Sequence, residues 1–447
     1  MLRIYSDWSL VISLFEFAIC SFFGMIPGMS AFGFGLATQR AAWLWVIVWA
    51  AITFTVVPLA RRIQVWLTDL GGERVVYHAV LVIGVGACLW FLRMILRPST
   101  QHKIIRFGTL ALIALAAFWV IETQLETTSE AVHFVQYALL TVLIVHALSF
   151  SMDDWFIYPV SFFTSLLFAY TDELLQWMTP GRYWDYRDIA LNGTAVLLTL
   201  FLIRFVIQPP GRKRAVSIRS RRRLAWTGSV FFLLLGISFS MTPHRIDRIA
   251  RTFPGLGFLL GNESVIHEFG HRHELPGIGV FRSRLTLDQL HHMDDVRAAE
   301  MAALIEPYRE PEAYRSFLAA YPAGIDPFAH EFRVHVFRRN HYAATAWSHR
   351  DDPELYQWHC TVAVRENQIL EAVFPETLQA TGYHWPEASS EVYRAGMDEG
   401  HPYFSPVSKH LQTRLSEPEL WMMLLGVIGV FLVLTGVVLP RTGRTRT

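Results

Sequence analysis

The stretch 170–197, YTDELLQWMTPGRYWDYRDIALNGTAVL, combines many charged and amide side chains with strongly apolar sequence on both sides. Its ionisable residues include Asp172, Glu173, Arg182 and Asp188, which lie where the flanking apolar runs end and begin. Charged groups are costly to hold beside lipid, and they are retained there mainly where they have a functional role or pair with one another. The stretch therefore predicts a polar site at the edge of a membrane-spanning helix bundle.

The rest of the chain is too apolar for an ordinary soluble protein. Of its 447 residues, 52% are hydrophobic and only 17% are charged. The apolar residues come in runs of about 17 to 22, which can cross the hydrocarbon core of a bilayer as helices. The sequence predicts an all-α fold, a polytopic transmembrane bundle of about nine helices at 9–28, 41–60, 75–96, 105–121, 131–150, 155–172, 189–207, 225–241 and 420–439.

Basic side chains predict the orientation of the bundle, because loops rich in Lys and Arg remain in the cytoplasm. The linker 208–224 and the C-terminal tail 440–447 are both rich in arginine and are expected inside. One loop disagrees, since its basic residues would lie outside: Arg61, Arg62 and Arg74. The sequence thus predicts a multi-pass protein of the plasma (inner) membrane, with residues 242–419 extracytoplasmic.

These boundaries divide the chain into membrane helices, basic connections and one long polar segment. The expected regions are N-terminal membrane helices (1–74), a central transmembrane domain (75–207), a basic cytoplasmic linker (208–224), a transmembrane helix (225–241), an extracytoplasmic domain (242–419), a last transmembrane helix (420–439) and a basic cytoplasmic tail (440–447).

The polar segment 242–419 is long enough to form a domain with its own core. Thr286 and Gln289 have the spacing of a capping box, and apolar residues follow them at helical intervals. Further helices are predicted near 311–320, 327–346, 359–372 and 388–397. A mostly helical domain is therefore expected between the last two membrane helices.

Three consecutive predicted membrane helices carry polar residues at ends that should meet. If the helices cross in alternation, the start of 131–150, the end of 155–172 and the start of 189–207 lie on the same side, which the orientation places outside. Residues 179–182 form a sharp turn, and Arg182 can bind a carboxylate through two hydrogen bonds. The expected cluster contains His133, Gln136, Tyr137, Glu173, Gln176, Arg182, Asp185, Asp188 and Asn192.

Two interpretations of this cluster remain open. Buried polar groups at helix ends often only satisfy one another, so the cluster could simply hold three helices together. Alternatively, it could bind a polar head group, a cell-wall precursor or another extracytoplasmic ligand. A transporter is the least favoured class, because the chain has neither an inverted repeat nor paired broken helices.

The ordered pattern of these residues resembles the VanZ-like family of membrane proteins. The pattern H-x-x-[EQ]-Y is followed by E-x-x-Q and then by P-G-R-x-x-D-x-x-D-x-x-x-N, which this chain supplies as His133, Gln136, Tyr137, Glu173, Gln176, Pro180, Gly181, Arg182, Asp185, Asp188 and Asn192. The resemblance covers roughly residues 75–207. The chain departs from the family at Ala195, where a glycine is usual, and at Glu130, where a basic residue is usual.

This resemblance implies a cellular location and a general role rather than a specific reaction. The family is linked to low-level resistance to the glycopeptide teicoplanin and to the cell envelope. The lipid bilayer is then one partner, and cell-wall precursors, lipid head groups or glycopeptides are candidate ligands. The expected role is a binding or envelope-modulating module rather than an enzyme, and no cofactor or nucleic acid is expected.

A second motif, His267-Glu268-Phe-Gly-His271, fits the H-E-x-x-H pattern of zinc peptidases. On a helix, His267 and His271 could bind Zn²⁺, Glu268 could act as the general base, and Glu300 is a possible third ligand. Gly270 and the following Pro-Gly leave little room for such a helix, and the metzincin continuation is missing. A membrane-anchored zinc metallopeptidase is therefore the alternative function.

Other histidines of the polar segment predict no additional site. His330, Glu331 and His335 could bind metal across helices, but they are expected on a solvated helix face. Two of the three cysteines fall in apolar runs and one in the polar segment, which implies no disulfide framework.

Overall fold

The structure is a computed structural model that describes residues 38–56, 74–125, 130–207, 215–260 and 265–436. It divides into two compact units. The membrane unit comprises Met1–Leu234 and Leu424–Thr447, and the polar unit comprises Leu235–Met423. The described residues are predominantly helical. The predicted span 9–28 lies outside the described residues.

Each of the other predicted apolar runs contains a helix. In chain order these helices are α1 (Gln39–Val56), α2 (Arg74–Leu96), α3 (Lys103–Gln124), α4 (Glu130–Ser149), α5 (Ile157–Trp177), α6 (Tyr186–Phe201), α7 (Ile218–Phe239) and, after the polar segment, α15 (Glu417–Leu434). A six-residue π-helix, Leu202–Ile207, continues α6. The Arg106 guanidinium of α3 donates a hydrogen bond to the Val206 carbonyl of this π-helix at 3.1 Å.

Among the described residues, four helices are long and apolar enough to cross a membrane. They are α3, α4, α15 and α6 with its π-helical continuation, Tyr186–Ile207. A fifth is added if α7 and the next helix, which meet at a 93° bend, count as one span. Helix α5 is not among them, since Asp172, Glu173 and several hydroxyl side chains reduce its hydropathy. These apolar helices thus identify the chain as a membrane protein. The nine-helix bundle stays a prediction.

Helix α4 lies at the centre of the membrane unit and packs against α1, α5 and α6. Its buried side chains, among them Leu140, Leu143 and Ile144, form a large part of the core. Helices α5 and α6 approach closely at Gly193, where an added Cβ would lie 3.1 Å from Leu166 Cδ2. Gly193 therefore allows the two helices to approach each other closely. Ala195, at the position where the VanZ-like pattern has glycine, is buried.

The polar unit contains seven helices and one β-hairpin within its described residues, besides short 3-10 turns and the ends of α7 and α15. The helices are α8 (Pro243–Thr252), α9 (Leu287–Ile305), α10 (Tyr314–Ala320), α11 (Pro327–Ser348), α12 (Pro353–Val373), α13 (Pro375–Ala380) and α14 (Glu387–Ala395), of which α13 has little more than one turn. The antiparallel strands are β1 (His271–Leu275) and β2 (Gly279–Ser283), with His271 opposite Ser283 and Leu275 opposite Gly279.

The helices of the polar unit begin where local sequence dictates. The Thr286 hydroxyl accepts from the Gln289 backbone N–H, and the Gln289 side chain completes the capping box of α9. Helices α11 and α12 begin with proline after an aspartate whose carboxylate caps the first turn: Asp326 and Asp352. Such caps satisfy backbone N–H groups that have no partner within the helix. The predicted capping box of Thr286 and Gln289 is confirmed.

The core of the polar unit lies between α11, α12 and β2. Phe281 of β2 and the aromatic rings of Phe328, Phe332 and Phe374 are fully buried there. The two ends of the unit lie side by side, because Trp421 Nε1 donates to the Ser240 hydroxyl at 2.7 Å. The Arg245 guanidinium also donates to the Glu417 carboxylate at 2.5 Å.

Candidate functional site

The structure brings the polar ends of α4, α5 and α6 together around Asp172. The Tyr137 hydroxyl donates to Asp172 Oδ2 at 3.2 Å. His133 Nδ1 lies 3.8 Å from the same oxygen, and its ring stacks beside that of Tyr137. Asp172 is only 1% exposed. This carboxyl group is the buried centre of the cluster. The sequence placed Asp172 in the polar stretch 170–197 but not among the nine residues of the expected cluster.

Glu173 joins α5 to the loop that precedes α6. The backbone N–H of Asp185 donates to Glu173 Oε1 at 2.7 Å, and Gln176 Nε2 donates to Oε2 at 3.4 Å. Arg182 donates to Gln176 Oε1. The guanidinium therefore contacts an amide at this point, where the sequence had suggested a two-bond contact with a carboxylate.

Asp185 and Arg187 fix the start of α6. Asp185 is the N-cap residue, and its Oδ1 accepts from the Arg187 backbone N–H at 2.7 Å. The Arg187 guanidinium lies 2.9 Å from Glu130 Oε1 and 3.8 Å from Asp185 Oδ2. Glu130, where the family pattern has a basic residue, thus pairs with a basic residue from another helix. Neither Glu130 nor Arg187 was in the predicted set.

The remaining predicted residues surround this centre. Asp188 lies in the first turn of α6, where the helix dipole favours a negative charge, and it is close enough to influence Asp172 and Glu173 electrostatically. Asn192, one turn further along α6, is buried. Gln136 contributes its backbone carbonyl, which accepts from Trp49 Nε1 of α1 at 3.0 Å.

The cluster has more acceptors than donors. Its carboxyl groups belong to Glu130, Asp172, Glu173, Asp185 and Asp188, whereas its guanidinium groups belong to Arg182 and Arg187. Within the described structure, Asp172 Oδ1 accepts no hydrogen bond, and His133 Nδ1 has no hydrogen-bond partner either. A buried acceptor without a donor is costly, so it favours a ligand that brings one.

The H-E-x-x-H residues do not form a helical zinc site. Phe269 forms an isolated bridge with Gln412, and His271 begins β1, so His267, Glu268 and His271 lie on extended chain. Glu268 Oε2 lies 2.5 Å from Arg284 and 2.5 Å from His410 Nε2. No group of three metal-binding side chains is arranged for an ion anywhere in the described part of the chain.

Glu300, the possible third ligand, lies on α9 and forms a two-bond ion pair with Arg297. The zincin pattern depends on a helix that places both histidines on one face, and that helix is absent here.

The polar unit contains its own buried carboxyl cluster. Glu366 accepts from His335 Nδ1 at 2.6 Å, Arg338 Nε at 2.8 Å, the Tyr403 hydroxyl at 2.6 Å and the Ser405 hydroxyl at 2.9 Å. Burial alone would raise the pKa of Glu366, but the adjacent His335 and Arg338 outweigh it and lower the pKa to about 2.

The expectation of a solvated face on α11 is wrong for two of its residues. His335 and Glu331 are each 1% exposed. Glu331 accepts hydrogen bonds from Ser283 and from the backbone N–H and guanidinium of Arg284. Phe281 of the hairpin, which the sequence did not predict, packs against the His335 ring. Strand β2 therefore covers the face of α11 that was expected to be solvated.

Fold and apolar helices together define the class of this chain, a predominantly helical membrane protein with a separate polar unit. No protein-family profile matches the sequence, and no curated protein or solved structure is significantly similar to it.

Proposed function

We propose that the chain is a VanZ-like multi-pass membrane protein of the cell envelope, and that the cluster around Asp172 binds a polar group at the outer face of the membrane. The observation that carries this proposal is the buried Asp172 carboxyl group, which has one hydroxyl donor for two oxygens. The ordered motif residues from His133 to Asn192 support the family assignment. The protein acts here as a binding or envelope-modulating module.

The chemistry of the cluster defines which ligands fit. Excess carboxyl groups favour a ligand that carries an ammonium group or several hydroxyl groups, because both supply donors that the buried oxygens lack. Lipid head groups, cell-wall precursors and glycopeptides carry such groups. Arg182, which donates to Gln176, can also rotate toward an acidic part of the same ligand.

A purely structural cluster is the competing proposal. In that case the carboxyl groups only connect α4, α5 and α6, and removing their charge changes stability without changing any envelope phenotype. The two proposals therefore differ in what an isosteric substitution does at constant protein level.

Asp172→Asn and Glu173→Gln test the binding proposal, because both keep the side-chain shape and remove the charge. Cells that lack the native protein and produce each variant are compared for teicoplanin sensitivity at equal membrane abundance. We expect both variants to lose the phenotype of the native protein while abundance and unfolding stay unchanged.

Asp154→Asn is the matched control, since Asp154 is an equally buried aspartate of the membrane unit with satisfied oxygens. Its carboxylate accepts from the backbone N–H groups of Phe156 and Ser217 and from the Ser220 hydroxyl. This variant should change stability but preserve the phenotype per folded molecule. A native phenotype for Asp172→Asn and Glu173→Gln would instead establish the structural role.

A further inference from the structure

Residues 243–260 of the polar unit combine a basic amphipathic helix with an exposed apolar segment. Helix α8 has the sequence PHRIDRIART and buries Ile246 and Ala250 on one face. The opposite face presents His244, Arg248 and Arg251 to solvent. The 3-10 turn Pro254–Leu259 follows directly.

The charges of α8 are not balanced within the described structure. Arg245 pairs with Glu417, and Arg251 pairs with Asp247 at 2.8 Å. Arg248 contacts His244 Nε2 at 3.1 Å and has no carboxylate partner among the described residues. The exposed face of the helix therefore carries net positive charge.

Large apolar side chains follow the helix and remain open to solvent. Phe253 is 57% exposed, Phe258 is 38% exposed and Leu260 is 50% exposed. Basic residues on one face, together with exposed Phe and Leu side chains, are the composition of segments that lie in the interface of a bilayer. A large apolar area left in water usually marks a surface that something covers.

The position of α8 in the chain identifies what covers it. Only residues 240–242 separate it from the apolar helix α7, and the chain turns by 93° between the two helices. If α7 crosses the membrane, a helix at a right angle to it and three residues away lies along the membrane surface. The charge of α8 suits anionic head groups, and its apolar neighbours suit the boundary of the acyl chains.

We propose that residues 243–260 form an interfacial segment that rests on the bilayer. Phe253, Phe258 and Leu260 insert at the boundary between head groups and acyl chains, while Arg248 and Arg251 contact anionic phospholipid head groups. This proposal depends on the membrane assignment of α7 and is independent of any ligand of the Asp172 cluster.

Depth-dependent quenching tests this proposal in the full-length protein. The native cysteines are replaced by alanine, Phe258→Cys is labelled with the environment-sensitive fluorophore NBD, and single protein molecules are placed in nanodiscs with doxyl-labelled lipid. Val296→Cys on α9 is the matched control, because Val296 is 63% exposed and far along the chain from α8. Leu260→Cys repeats the measurement should the Phe258 variant misfold.

We expect lipid doxyl groups to quench the label at position 258, with blue-shifted emission, and to leave the label at 296 unchanged. In nanodiscs that contain phosphatidylglycerol, Arg248→Gln should lower the ratio of inserted to exposed label by about fivefold, the factor that one basic residue near an anionic surface provides. Arg272→Gln, on the exposed strand β1, should have no effect.

Equal accessibility of positions 258 and 296 in both lipid compositions would overturn the proposal. Protection of position 258 only when two protein copies share one nanodisc would also overturn it, because the apolar surface would then serve a second copy of the chain. Quenching that is identical with and without phosphatidylglycerol would reject the contact of Arg248 with anionic head groups.

Discussion

Asp172 of the membrane unit and Glu366 of the polar unit are both buried carboxyl groups on helices, but their surroundings are opposite. Glu366 receives four donors, two of which come from basic side chains. Asp172 receives one hydroxyl donor, and its second oxygen accepts no hydrogen bond in the described structure.

This difference separates a structural carboxylate from a candidate binding group. A buried charge that is fully hydrogen-bonded holds its neighbours in one arrangement, and it has no free acceptor for a ligand. A buried carboxyl group with too few donors is retained at a cost, and such costs are concentrated at functional sites. Substitutions of equal shape in the two units therefore test whether the two carboxyl groups differ in this way.

Glu366→Gln should have the largest effect. The amide leaves His335 and Arg338 without their buried counter-charge and directs an NH₂ group at one of the existing donors, so we expect a loss of about 3 to 5 kcal/mol in unfolding free energy. Pulse proteolysis in urea on the full chain measures this loss, with hydrogen exchange in α11 and α12 as a local probe. A loss below about 1 kcal/mol would mean that the cluster is not what stabilises the unit.

Acid should remove a similar amount of stability. The folded pKa of Glu366 is about 2, below its ordinary value of 4.5, so its contribution is complete above about pH 5 and is lost as the pH falls toward 2. The shift corresponds to about 3 kcal/mol. Unfolding of the native protein and of Glu366→Gln is compared between pH 7 and pH 2. Parallel pH profiles for the two proteins would contradict the assignment.

Asp185→Ala should produce an intermediate effect in the membrane unit. The substitution removes the N-cap of α6 and costs about 1 kcal/mol, whereas Asp185→Asn keeps a capping oxygen and should cost little. Unfolding in mixed micelles by titration with SDS compares the two variants. Equal losses would show that the charge of Asp185, rather than its cap, stabilises the start of α6.

Asp172→Asn should have the smallest effect on stability, below about 1 kcal/mol, because the neutral amide is cheaper to bury and still accepts from Tyr137. The same SDS titration measures it alongside Asp154→Asn, which should cost more. If Asp172→Asn destabilises as strongly as Asp154→Asn, Asp172 belongs with Glu366 among the structural carboxylates.

The features that the sequence predicted correctly are local. The capping box of Thr286 and Gln289 determines the start of α9 through contacts within one turn. Long apolar runs similarly determine where helices occur. Alternate crossing of three such helices was enough to bring Tyr137, Glu173 and Asp185 to one end of the bundle.

The features that the sequence did not reveal depend on distant partners. Glu130 and Arg187 are 57 residues apart in sequence, and no local pattern pairs them. The β-hairpin was missed because strand β1, HRHEL, lacks the alternating β-branched residues that usually mark a strand. Arg182 contacts Gln176 through a choice of side-chain rotamer, which spacing along the chain cannot specify.

The hydrogen bond between Trp421 and Ser240 holds the two ends of the polar segment next to each other. Because chain entry and chain exit are adjacent, the segment has the topology of a domain inserted into a single short loop, an arrangement that loops tolerate at little entropic cost. The polar segment can therefore be exchanged for a short Gly-Ser turn without changing the distance that the connection between α7 and α15 must span. Its evolutionary history can accordingly be separate from that of the helices that carry it.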